Sequence, residues 1–163
     1  NPLPLPGDQV LASSGYGVGA KLYQIRAAPD GGLTSEIVWE SPRLKTKFAN
    51  MVYRDGFVYG LDDGVLVCLD PTDGKRRWKR GRYGHGQRLL LRDQDLLLVL
   101  TERGELALVE AVSDGFTELT RFPAIEGKTW NHPVLVGDVL LVRNDREMAA
   151  FRLPLAPSGQ PSI

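Results

Sequence analysis

Few side chains in this sequence could do chemistry near neutral pH: two histidines, His85 and His132, and one cysteine, Cys68. Imidazole can serve as base, acid or metal ligand, but nucleophilic catalysis needs a hydroxyl or thiol held beside it. Nothing in Tyr83-Gly84-His85-Gly86 or Trp130-Asn131-His132-Pro133 places one there, so no Ser/His/Asp or Cys/His arrangement follows. Cys68 falls inside the apolar run Val65 to Leu69, which suits a buried, unreactive thiol. Being single, it offers neither an internal disulfide nor a cysteine metal site.

Charge is concentrated in one place. Lys75-Arg76-Arg77-Trp78-Lys79-Arg80-Gly81-Arg82-Tyr83 holds six cations and two aromatics in nine residues, a composition able to hold phosphates or stack bases. The same run fits the outer strand of a sheet, where exposed charge discourages edge pairing. The whole chain carries 20 basic and 20 acidic residues, so no global field draws it to nucleic acid or an anionic membrane. Asp62-Asp63, Asp93 with Asp95, and Asn144-Asp145 could offer oxygen ligands to a hard cation. All lie where turns are expected, and Asp and Asn in turns ordinarily bond their own backbone, so no metal site is assigned. Gly15-Tyr16-Gly17-Val18-Gly19 has the wrong spacing for a dinucleotide loop and no helix after it, and reads as a turn or bulge.

The elements that must position these groups are strands. Polar turns open apolar strands at Gly7-Asp8, Asp55-Gly56, Gln94-Asp95 and Gly137-Asp138, spaced by 48, 39 and 43 residues. That interval suits β-propeller blades rather than leucine-rich repeats or helical solenoids. In the second repeat, Asn50 to Tyr53, Phe57 to Leu61, Val65 to Leu69 and Arg76 to Trp78 make four strands; Gln87 to Leu91, Leu96 to Leu100, Leu106 to Val109 and a strand near Phe116 to Phe122 make the third. Leu96-Leu97-Leu98-Val99-Leu100 is apolar on both faces, so both faces must be covered. Stacked blades supply that cover without helices, and no stretch has a helical apolar stripe.

The predicted fold is therefore all-β, a propeller segment of about four four-stranded blades over residues 1–153, with divisions near 1–47, 48–83, 84–128 and 129–153 and an irregular tail at 154–163. The first inner strand, within Asn1 to Pro6, is proline-rich and reads as a poor edge strand. The last blade lacks an outer strand. Such an arc would expose blade faces, which predicts half of a larger, seven- or eight-bladed ring, closed by a missing half-propeller or by a second copy of the chain. The start at Asn1 reads as a trimmed or excised piece. No apolar run reaches the ~18 residues of a membrane span.

Leu69-Asp70-Pro71-Thr72-Asp73-Gly74-Lys75-Arg76-Arg77-Trp78 resembles the tryptophan-docking motif of the PQQ-like, quinoprotein-type β-propeller repeat family. Ile37-Val38-Trp39-Glu40 occupies the matching place in the first repeat. Ser13 to Gly19, Lys128 to Pro133 and Asn144 to Met148 are similar to bacterial members related to the outer-membrane β-barrel assembly lipoprotein. The resemblance implies blade docking through Trp39, Asp70, Thr72, Gly74 and Trp78, and a periplasmic or extracellular location. The third repeat, Glu110 to Phe116, lacks the tryptophan, and Phe116 or Phe122 would have to fill its place. Some members are PQQ- and calcium-dependent dehydrogenases; several carry a vicinal disulfide that one cysteine cannot make.

Residues at the starts of inner strands in successive blades converge on one channel mouth. Asn50, His85, Trp130, Asn131 and His132 are the candidate ligand-binding set, against the plainer reading that they cap strand starts. The expected function is a non-catalytic binding or scaffolding module for a protein or extended ligand, without a cofactor. The alternatives are a PQQ/calcium dehydrogenase fragment, or an anionic-polymer binder using Lys75, Arg76, Arg77, Lys79, Arg80 and Arg82; nucleic acid itself is not the expected partner.

Overall fold

The computed structural model describes residues 2–154. They form four antiparallel sheets in chain order. The first holds β1 (Leu3–Leu5), β2 (Gln9–Ser14), β3 (Gly19–Ala27) and β4 (Leu33–Ser41). The second holds β5 (Val52–Arg54), β6 (Phe57–Asp62), β7 (Val65–Leu69) and β8 (Arg76–Arg82). The third holds β9 (Gln87–Leu91), β10 (Leu96–Leu100), β11 (Glu105–Glu110) and β12 (Glu118–Pro123). The fourth holds β13 (Val134–Val136), β14 (Val139–Arg143) and β15 (Met148–Arg152). The only helical element described is a single 3-10 turn, Arg92–Gln94. Apart from Pro154, the tail expected at 154–163 lies outside the described residues.

Every sheet is a meander in which consecutive strands pair. In the second sheet, tight Asp-Gly turns impose this: Asp55 and Gly56 have φ of 47° and 86°, and Asp63 and Gly64 have 48° and 82°. Two successive positive φ values match the twist of a two-residue hairpin, and Asp and Gly tolerate them best. The proline-rich start still pairs, Leu3 to Leu5 against Leu11 to Gln9, as a three-residue edge strand.

Side-chain alternation distributes the apolar strands between three clusters. Val58, Val67 and Leu69 face the first sheet and pack with Leu5, Leu11, Ala20 and Leu22. Their strand neighbours Tyr59, Leu61, Leu66 and Cys68 face the third sheet and pack with Leu97, Val99, Ala107 and Val109. Leu98, Leu100 and Leu106, on the opposite side of that sheet, pack with Leu140 and Val142 of the fourth. The two central sheets are thus buried on both faces, which is why their strands lack polar alternation. Each fully buried Leu contributes about 1.5–3 kcal/mol by leaving water.

Tryptophans stitch the outer strands across sheets. Trp39 on β4 donates its Nε1–H to the Pro71 carbonyl at 2.8 Å. Its ring lies so close to Gly74 that an added Cβ would sit 2.9 Å from it. Trp78 on β8 repeats the bond, to the Val112 carbonyl at 3.0 Å. Asp70 holds the receiving turn, accepting from Thr72 N at 3.0 Å and Thr72 Oγ1 at 2.6 Å. In the third repeat the two phenylalanines divide the work: Phe116 packs back on Trp78 at 5.6 Å, while Phe122 packs forward on Phe151 of the fourth sheet at 5.9 Å.

Candidate functional site

In a meander, the segment entering each first strand lies at the same end of the sheet as the turn between its second and third strands. Tyr16 in the β2–β3 turn, Phe48 before β5, His85 before β9, Glu102 in the β10–β11 turn and Trp130 before β13 are all of this kind. The structure brings three of their rings together. Phe48 lies 5.1 Å from Trp130 and 6.1 Å from His85, the latter edge-on. Phe48 is 56% exposed and Trp130 39%, so this cluster faces solvent.

Glu102 organises it from below. Its carboxylate accepts from Trp130 Nε1 at 2.8 Å and from the His85 backbone N–H at 3.1 Å. Partial burial pushes the Glu102 pKa up, but these two donors outweigh it and hold the carboxyl below its ordinary range. Gln87, buried at the start of β9, donates to the backbone carbonyls of both Phe48 and Trp130, tying three segments to one side chain. Cations flank the rings: Lys128 Nζ is 3.6 Å from the Trp130 centroid, and Lys47 Nζ is 4.5 Å from Tyr16 and 5.5 Å from Phe48. Between Tyr16 and Phe48 runs a groove of about 350 Å³ whose walls include Ser13, Thr46, Lys47 and Asn50.

Of the residues singled out in the sequence, His85 and Trp130 join the ring cluster and Asn50 lines the adjoining groove. Asn131 is half-buried beside Trp130, and His132 is exposed with Nδ1 3.0 Å from its neighbour's carbonyl, Pro133 O. The packing that joins His85 to Phe48 does not include His132. Phe48 stands just before an inner strand, and Glu102, Gln87 and the two flanking lysines carry no local signal of a site role. Glu102 was visible only as the first residue of a Glu-Arg-Gly turn.

The basic strand is partly neutralised where it stands. Lys75 pairs with Asp73 at 2.7 Å, Arg77 with Asp70 at 3.4 Å and Lys79 with Asp62 at 2.5 Å. Arg76, Arg80 and Arg82 are exposed along the same strand. Three of the oxygen groups that could hold a hard cation are likewise engaged. Asp62 takes Lys79 and Lys45, Asp95 pairs with Arg54, and Asn144 Oδ1 accepts from the backbone N–H groups of Arg146 and Glu147. A hard dication needs about six to eight converging oxygens, and these residues do not fit one. Among the described residues no three His, Cys, Asp or Glu side chains gather as a metal site. No helix there is long and apolar enough to cross a membrane.

No protein-family model and no curated protein matches this chain. Among solved structures it is similar to the crystal structure of the computationally designed Ika8 protein, with a TM-score of 0.37 and 7% identity, over 93% of this chain and 70% of that one. A likeness so remote carries nothing about function.

Proposed function

We propose that this chain is a non-catalytic binding module, its four sheets acting as blades of a PQQ-like β-propeller segment, and that it holds a protein or extended ligand across the aromatic end of those blades. The observation that carries the reading is the convergence of Phe48, His85 and Trp130, from the segments leading into three successive sheets, beside a groove flanked by lysines. Rings presented by rigid sheets bind extended chains at small entropic cost, and adjacent lysines favour a ligand with carboxylates. The Trp39 and Trp78 bonds between sheets are what the docking motif of the resembled family would make. With that family goes a periplasmic or extracellular site of action and completion of the ring by a missing half or a second copy. No cofactor enters the proposal.

The test is selection of a phage-displayed random peptide library on the purified chain, followed by binding of the enriched peptides to Phe48→Ser and Trp130→Ala variants. Enrichment that both variants abolish supports the reading. No enrichment, or peptides indifferent to both changes, refutes it. Light scattering over a concentration series tests ring closure separately, since a mass twice that of the chain is expected for two copies.

A further inference from the structure

Arg88 is an anomaly among the described residues. It lies on β9, the edge strand of the third sheet, yet is only 1% exposed. Its Nε, Nη1 and Nη2 all lack a hydrogen-bond partner among the described residues. Its cross-strand partner is Val99, so its side chain shares the face that packs toward the second sheet, in the cluster that Ala49 and Tyr83 enter. Burial pushes its pKa down to about 9, which still leaves it charged at neutral pH. A guanidinium has five donors and no way to become a satisfied neutral group, and proteins rarely leave one buried without an acceptor.

The geometry points to Arg88 as the anchor of an anion site between the second and third sheets, one that takes a single carboxylate. A carboxylate accepts the planar guanidinium fork with two parallel hydrogen bonds. It also neutralises one charge with one; a phosphate dianion would bring excess charge into a face whose other members are apolar. The segment before β5 borders this face through Ala49. Arg88 lies outside the aromatic groove, and its role stands or falls apart from peptide binding there.

The experiment uses the whole chain with sodium acetate as probe and sodium chloride at matched ionic strength as control. The Arg88 Nε–Hε resonance, assigned by its loss in Arg88→Lys, is expected to shift saturably with acetate and not with chloride. With acetate about tenfold above its dissociation constant, the unfolding midpoint should rise by about 3–6 °C. In Arg88→Met the rise should vanish and the unliganded midpoint should be no lower than that of the parent chain. A resonance unmoved by acetate, or moved equally by chloride, overturns the site even if the Met variant fails to fold. A Met variant that folds but still responds to acetate overturns it too.

Discussion

Replacing Trp39 by Phe probes how one sheet is fastened to the next. The ring still fills most of its space against Gly74, but the 2.8 Å bond to the Pro71 carbonyl is gone. Losing a neutral hydrogen bond costs about 1 kcal/mol, and leaving the acceptor of a buried residue unpaired adds about 1–2 kcal/mol. The sum, about 2–3 kcal/mol, should lower the thermal midpoint by about 4–12 °C for a domain of this size. Gly74→Ala attacks the same contact from the other side, because its Cβ would lie 2.9 Å from the indole and its backbone sits at φ 67°. The double variant should therefore lose less than the two single losses combined, by about 0.5–3 kcal/mol of coupling. Chemical denaturation with far-UV circular dichroism measures all three. A cost below about 0.5 kcal/mol for Trp39→Phe, or strict additivity with Gly74→Ala, would refute the idea that this contact fastens the sheets.

Two further outcomes follow from buried ionisable groups. Burial pushes the Cys68 thiol up to about 11, so a thiol reagent at pH 8 should label it only in denaturant, and labelling of the native chain at the rate of free cysteine would contradict its placement. For Asp62, burial raises the pKa, but Lys79, the Lys45 backbone N–H and the Lys45 ammonium outweigh it and hold the carboxyl below its ordinary range. A depressed folded-state pKa gives stability that is present above the unfolded value near 4 and lost as pH falls through the folded one. Denaturant midpoints measured from pH 6 down to about pH 2 should decline more gently in Asp62→Asn than in the parent; parallel curves would show that Asp62 does not contribute to acid sensitivity.

What was legible in advance was local. Asp55-Gly56 and Asp63-Gly64 announced hairpins because only a few residue types tolerate consecutive positive φ, and hairpins joining short strands make meanders. Leu96 to Leu100, apolar at every position, announced a strand covered on both sides, and its side chains do alternate between two clusters. The resemblance pointed to Trp39 and Trp78 through Asp70, Pro71, Thr72 and Gly74, which sit beside the second of them in sequence. The partner of each proved to be the turn of the following sheet, 32 and 34 residues onward.

The sequence by itself determined the all-β class, the strand order within each sheet and the need for sheet-on-sheet burial, since period-two alternation and turn chemistry are written within a handful of adjacent residues. Tertiary structure alone decided which loops meet. Gln87 reaches Phe48 across 39 residues and Trp130 across 43, and Glu102 joins His85 to Trp130 from a turn with no distinguishing composition. Likewise Arg88 in Gln87-Arg88-Leu89-Leu90-Leu91 looks like any charged residue on an edge strand. Only the packing of the second sheet against the third removes it from water, because burial of an edge depends on a neighbour whose position no local pattern encodes.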